Sequence, residues 1–304
     1  MPSGIIVKAL SGYYYVQPDE PAGAGSVQCR ARGIFKKKGI SPLVGDHALY
    51  ELTENGEGTV DEIKPRTTEL IRPPIANVDQ AVLVFSLTEP GLNLQLLDKF
   101  LVHTEQARLE TVICLTKVDL LQDRESGELA GGMNLDAVRR LYESFGYRVI
   151  VTSKRTQEGL EAVRDALAGR ISVFSGQSGV GKSSMLNAIV PGLKLETNEI
   201  SAKLGRGKHT TRHVELFPLE AGGFVADTPG FSQLDFLELE PEQLSGCFAE
   251  FRGYSAGCKF RGCLHQQEPG CLVLQALDEG AIAPSRYKHY TAFLTEMKER
   301  KRRY

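Results

Sequence analysis

Hydrophobic and polar positions change rhythm three times along the chain. At the start, residues 4–10, 13–16, 27–35, 47–52 and 58–63 form short β-rich stretches separated by Gly, Pro and Asn, with no helical spacing among them. Ser11-Gly12 supplies a hairpin turn between the first two. Five such strands predict a small barrel of the OB type. Pro65, Pro73 and Pro74 interrupt the next stretch, and 65–77 reads as a linker. The rhythm then becomes that of a buried sheet. Residues 80–86 and 111–115 are continuous apolar runs, the pattern of strands covered on both faces. Between them, Leu94, Leu97, Leu101 and Val102 give 94–106 a helical spacing. Helix 135–145, strand 148–152, helix 159–167, strand 171–174, a helix at 184–190 and strand 223–226 continue the alternation. Strand alternating with helix predicts a parallel α/β sheet. After residue 231 the pattern changes again. Residues 240–251 read as helical, and Ser285 is placed to cap a last helix. Tyr290, Phe293, Leu294 and Met297 fall at i, i+3, i+4 and i+7 of that helix. The expected architecture is therefore multidomain: an OB-type β-barrel over 1–68, an α/β P-loop domain over 69–233, and a mostly helical metal-binding domain over 234–304.

The chemistry is concentrated in the middle rhythm. Gly176-Gln177-Ser178-Gly179-Val180-Gly181-Lys182-Ser183, followed by Ser184, matches the phosphate-binding loop GxxxxGK[ST] and lies between a strand and a helix. Glycines let the backbone wrap phosphates, and the helix N-terminus stabilises their charge. Lys182 is expected on the β- and γ-phosphates and Ser183 on Mg²⁺. Asp227-Thr228-Pro229-Gly230 ends a later strand. There Asp227 is placed to hold Mg²⁺ and Gly230 to donate its N–H to the γ-phosphate. The polar, basic stretch 205–212 between these motifs reads as a first switch, with Thr211 preferred over Thr210 to close on Mg²⁺.

Thr116-Lys117-Val118-Asp119 selects the base. An Asp here accepts from guanine N1–H and the 2-amino group. Adenine offers neither, so ATP would leave a carboxylate unpaired. Lys117 is expected to lay its stem along the ring. Thr116 stands where Asn is usual, and the bridging amide of that Asn is lost. Thr152-Ser153-Lys154 ends the next strand, and the Ser153 N–H is the expected donor to guanine O6. Both base motifs precede the phosphate loop, and no second KxD follows residue 231. A GTPase with this order is circularly permuted, which is tolerated when the original termini lie close together.

Composition adds two facts. Net charge is only −2, so charge points to a nucleic acid only locally, through Arg30, Arg32, Lys36, Lys37 and Lys38 and through the run from Lys298 to Arg303. Cys258, Cys263, His265 and Cys271 gather three thiols and an imidazole in one short stretch, a tetrahedral donor set for one structural Zn²⁺. No apolar run is long enough to span a bilayer and no secretory leader is visible, so a cytoplasmic, monomeric protein without membrane contact is expected.

Base motifs before the phosphate loop, an N-terminal barrel and Cys-x4-Cys-x-His-x5-Cys together resemble the RsgA (YjeQ/YloQ) family of permuted bacterial GTPases. The resemblance spans essentially the whole chain, through TKVD at 116–119, GQSGVGKSS at 176–184, GRGKHTT at 205–211, DTPG at 227–230 and the four zinc ligands. It implies late maturation of the small ribosomal subunit, rRNA contact, and GTP hydrolysis to GDP stimulated by that subunit. Phe231 holds the place of the usual catalytic Gln. The resemblance makes His209 the substitute that orients the attacking water. Two other readings remain at this level. A P-loop ATPase or small-molecule kinase is opposed by TKVD, and an RNA-binding scaffold without turnover would show no hydrolysis for Lys182→Ala to abolish.

Overall fold

The computed structural model describes residues 1–21, 25–71, 73–122, 129, 132–190, 192–195, 214–227, 236 and 239–301. The barrel is built from β1 (Ser3–Leu10), β2 (Tyr13–Pro18), β3 (Val27–Ala31), β4 (His47–Leu52) and β5 (Gly58–Ile63), closed in the order β1-β2-β3-β5-β4. β3 and β5 run parallel and the other pairs antiparallel, which is the OB arrangement. Ile6, Val16, Cys29, Ala48, Tyr50 and Val60 fill the interior. The expected strand 27–35 stops early: after Ala31 the chain turns into α1 (Gly33–Lys37), and Phe35 enters the barrel core from that helix.

β1 buries both faces. Ile6 points into the barrel while Ile5 and Val7 join the core of the neighbouring sheet. The expected linker is also structured. β6 (Glu69–Ile71) and β7 (Pro74–Ala76) form a hairpin, with Ile75 and Ala76 fully buried. The Arg66 guanidinium closes it on the barrel, donating to both oxygens of buried Asp46 at 2.7 and 2.8 Å. Of the prolines that suggested a linker, Pro73 lies in the hairpin's turn, Pro74 opens β7, and Pro65 precedes the hairpin.

The central sheet orders its strands β10-β9-β8-β11-β13-β12. They are β8 (Gln80–Ser86), β9 (Glu110–Thr116), β10 (Arg148–Thr152), β11 (Ile171–Ser175), β12 (Phe217–Pro218) and β13 (Phe224–Asp227). All neighbours are parallel except β12. Alternation within β8 explains its apolar run: Ala81, Leu83 and Phe85 pack on one face, Val82 and Val84 on the other. α2 (Leu94–Gln106) is capped by Asn93 and α4 (Leu135–Ser144) by Asn134, each side chain accepting from a backbone N–H in the first turn. α3 (Val118–Gln122), α5 (Leu160–Leu167) and α6 (Lys182–Ile189) complete the layer.

The C-terminal region is helical but not as read from sequence. Residues 240–251 form 3₁₀ turns, Pro241–Cys247 and Ala249–Phe251, before α7 (Arg252–Ser255) and α8 (Leu272–Asp278). α9 (Pro284–Lys301) begins with proline at its first position, so Ser285 lies inside the helix, and the Ala283 carbonyl accepts its first bond from Tyr287. Tyr290, Phe293, Leu294 and Met297 are all buried, as their spacing requires. Among the described residues, no helix is long and apolar enough to cross a membrane.

Candidate nucleotide site and metal centre

Register brings the motifs together. Thr116 pairs with Ser86 on one side and Thr152 on the other, so the two base-reading loops leave the sheet at the same level. Phe174 pairs with Asp227, which sets the phosphate loop and the Asp227 strand end side by side. Four strand ends from distant stretches of sequence thus meet at the carboxyl edge of one sheet, where ligands of open parallel sheets bind.

Backbone contact shapes the phosphate loop. A Cβ on Gly176 would lie 2.1 Å from the Val84 carbonyl oxygen, so only glycine fits against β8. Gly181 adopts φ 96° at the N-cap of α6, and no side chain caps that helix. A helix N-terminus without a side-chain cap suits an anion. Val180 is fully buried and anchors the loop in the core. Gln177, Ser178, Gly179, Lys182, Ser183 and Ser184 are at least partly accessible around it.

The base loop is tied directly to this phosphate loop. Thr116 Oγ1 donates to the Val180 carbonyl at 2.6 Å. Lys117 Nζ donates to the Gly179 carbonyl at 2.9 Å and also to the Glu89 carbonyl. The Thr116 hydroxyl thus bridges the base loop and the phosphate loop, a link that the sequence reading did not include. Val118 packs inward and opens the short α3.

Asp119 is buried and doubly held. Ser153 Oγ donates to its Oδ1 at 2.7 Å and Arg155 Nε to its Oδ2 at 3.0 Å. The Ser153 hydroxyl holds the carboxyl below its ordinary pKa of 3.8, burial works against it, and Arg155 assists. The Ser153 N–H, the expected donor to guanine O6, here donates to the Glu158 carbonyl of its own loop at 3.1 Å. Lys154 follows it, exposed at the loop's tip, and its N–H donates to no described residue. Arg155 and Glu89 were missed in sequence, because neither belongs to a spacing that marks it. His209, Thr211 and Gly230 lie outside the described residues, as does Phe231.

The metal centre is compact. The donor atoms of Cys258, Cys263, His265 and Cys271 all lie within 4.8 Å of one another. Cys258 Sγ is 3.9 Å from Cys271 Sγ and 3.7 Å from His265 Nδ1, which lies 3.3 Å from Cys271 Sγ. Tetrahedral Zn–S bonds near 2.3 Å separate sulfurs by about 3.8 Å, so the set fits zinc. Burial pushes the Cys263 thiol up to about 12 and raises Cys271, while it lowers His265. A divalent cation would supply the positive charge that lets buried thiols ionise. Three groups support the ligands. Tyr287 and Tyr290 donate from α9 to the carbonyls of His265 and Leu264, at 2.7 and 2.9 Å. Glu268 accepts the N–H groups of Leu264, Gln266 and Gln267 at 2.7 to 3.0 Å. Although burial opposes its charge, these donors hold its carboxyl down to about 2.

A parallel sheet with the phosphate loop on its central strand, and base loops preceding it in sequence, defines a circularly permuted P-loop GTPase. Comparison with known proteins makes this narrower. The RsgA GTPase family model matches residues 63–237, and the RsgA N-terminal domain model matches 3–60. The chain is 55% identical to the small ribosomal subunit biogenesis GTPase RsgA of Bacillus velezensis and 51% identical to that of Bacillus subtilis, in each case over 100% of both chains. The solved structure of YloQ, a circularly permuted GTPase, superposes with a TM-score of 0.83 at 47% identity, covering 99% of this chain and 96% of that one. YjeQ from Thermotoga maritima superposes with a TM-score of 0.80 at 36% identity, covering 97% and 98%. The chain belongs to the RsgA GTPase family.

Proposed function

We propose that this chain hydrolyses GTP in the cytoplasm while bound to the small ribosomal subunit late in that particle's maturation, and leaves on hydrolysis. The observation that carries the GTP reading is the junction of Thr116 and Lys117 with the phosphate loop, at 2.6 and 2.9 Å. It makes base and phosphate recognition one rigid unit. The ribosomal reading rests on relatives named small ribosomal subunit biogenesis GTPase that match along the full chain.

In this reading Asp119 accepts from guanine and the Lys154 N–H meets O6, replacing Ser153 in that role. Lys117 lies along the base. Lys182 and the α6 N-terminus hold the phosphates. Ser183, Thr211 and Asp227 hold Mg²⁺, which neutralises phosphate charge when bound. Gly230 donates to the γ-phosphate, and His209 orients the attacking water.

Attachments on either side of the switch segments support stimulation by a partner. Before the first, Leu195 exchanges two hydrogen bonds with the Asn187 side chain at 2.8 and 2.9 Å. After it, the Leu216 N–H donates to Val7 of the barrel at 2.8 Å and Glu215 pairs with Lys8 at 2.9 Å. Beyond the second, Phe236 stacks on His103 with centroids 5.4 Å apart and packs on Phe293 of α9. A particle that grips the barrel and the C-terminal domain therefore acts on the far end of each segment, the barrel after the one bearing His209 and the C-terminal domain after the one bearing Gly230.

Co-sedimentation with purified small subunits tests this. The chain pellets with the subunit in a non-hydrolysable GTP analogue and is released in GDP. Equal pelleting in both nucleotides, or none in either, contradicts the proposal.

A further inference from the structure

Among the described residues a handful of large apolar side chains are exposed, Ile71, Leu52 and Ile34 among them, and one of them is an aromatic ring. Phe260 is 45% exposed, and it is the only exposed aromatic side chain among the described residues. Its position is specific. It sits in Cys258-Lys259-Phe260-Arg261-Gly262-Cys263, a loop whose two ends are metal ligands. Lys259, Phe260, Arg261 and Gly262 are all exposed. The Lys259 ammonium lies 5.6 Å from the centre of the Phe260 ring. The Lys259 N–H donates to the Gly270 carbonyl at 3.3 Å, which ties the loop to the other side of the metal knuckle.

An exposed phenyl ring leaves apolar surface in water, and a partner that covers it recovers that free energy. What covers it must tolerate a cation on each side. A protein partner would favour an apolar pocket with a charge-depleted centre. A ring between Lys259 and Arg261 fits an unpaired nucleotide better: the base stacks on the ring and the two cations meet the flanking phosphates. The carboxylate within the knuckle, Glu268, is turned inward to three backbone N–H groups, and Glu242, whose side chain comes up beside Gly262, makes no ion pair with Lys259 or Arg261. The barrel's basic run is different. Arg32 there is paired with Glu51 and Asp61, and Arg30 donates to the Tyr13 hydroxyl. Its charge is partly satisfied within the molecule, whereas no ion pair is formed by Lys259 or Arg261 with a described residue.

From this geometry we infer that Phe260, flanked by Lys259 and Arg261, is a stacking site for an unpaired RNA base. It rests on the reading of the protein as an RNA-particle factor and names a surface by which such a particle is gripped. The metal knuckle fixes the ring's position, so ordering costs little when the base arrives.

The chain contains no tryptophan, so Phe260→Trp introduces a single reporter at the site. The zinc-loaded variant is titrated with an unstructured oligouridine and with a duplex RNA of equal length. Its fluorescence is quenched by the single strand and not by the duplex. Phe260→Ala weakens oligouridine binding about tenfold, and Phe260→Tyr restores most of it. Zinc content, measured for each variant, confirms that the knuckle is intact. Equal quenching by duplex and single strand, or none by either with zinc retained, overturns the inference. So does a fluorescence change produced by ribosomal proteins freed of RNA but not by oligouridine. Failure of the broader reading is separate: it shows in the unsubstituted chain as absence of association with small subunits.

Discussion

At the scale of single residues, the nucleotide site depends on hydrogen bonds that a sequence motif does not display. Asp119→Asn removes the acceptor pair for guanine and offers an amide instead. GTP affinity falls by roughly 10⁴-fold, while xanthosine triphosphate, which carries an oxygen in place of the 2-amino group, gains; competition against labelled GDP measures both. Guanine recognition needs the Asp119 carboxylate ionised. Because the Ser153 hydroxyl holds its pKa below the ordinary value of 3.8 against burial, affinity persists to lower pH than an ordinary carboxylate allows and is lost as pH falls through the lowered value. Ser153→Ala leaves the burial without its main compensation, so the loss moves to higher pH, as a GDP titration across pH 7 to pH 4 would record. Thr116→Val keeps the shape of the side chain but leaves the Val180 carbonyl short of its 2.6 Å partner. The cost is about 1–3 kcal/mol, seen as a lower Tm that Thr116→Ser recovers. The phosphate loop was legible because its spacing is local and its constraint, glycine against Val84, is absolute. Arg155 was not legible, because its role depends on a turn that returns it to a carboxylate 36 positions earlier.

At the scale of elements, misreadings share one cause: the interactions that decided them are remote in sequence. The segment 65–77 is rich in prolines, yet Ile75 is fully buried and Arg66 reaches Asp46, so tertiary contacts make a hairpin of it. Residues 33–37 form a helix within a β-rich stretch because Phe35 fills the barrel from that side. Strands of the central sheet and α2 were readable because continuous burial or helical spacing runs their whole length. The metal module was readable for its four ligands but not for Glu268, whose carboxylate organises their loop through backbone N–H groups. Glu268→Gln loses the charge that these donors stabilise. It therefore retains zinc about tenfold less tightly, measured by competition with a chromophoric chelator, while the nucleotide site keeps its GDP affinity. Unchanged zinc retention would mean the loop is held by the tyrosines of α9 alone.

At the scale of the molecule, buried charge joins the C-terminal domain to the sheet. Arg286 of α9 donates to Asp98 of α2 at 2.5 Å and grips Glu250 with two bonds, at 2.7 and 3.0 Å. Tyr142 and His289 also reach Asp98, at 2.7 and 2.5 Å. Arg286, Asp98 and Glu250 are almost completely buried. Arg286→Met strips buried Glu250 of both its bonds and leaves Asp98 with only Tyr142 and His289, and it destabilises the protein by about 3–5 kcal/mol in thermal or urea unfolding. Arg286→Lys restores little, since an ammonium cannot make the bidentate contact. No residue of this network belongs to a motif, and nothing in the sequence paired positions 98, 250 and 286. In the proposed function, this joint, Phe236 and the barrel contacts of Glu215 and Leu216 are the routes by which a bound particle acts on the nucleotide. Single-turnover hydrolysis of GTP with and without purified small ribosomal subunits, with ATP as control nucleotide and Lys182→Ala as control protein, tests that claim directly. The account predicts slow GTP cleavage by the chain alone and acceleration of about 10³-fold by the subunit, with no response from ATP or from Lys182→Ala. Equal GTP rates with and without subunits, under conditions where the chain co-sediments with them, would contradict it.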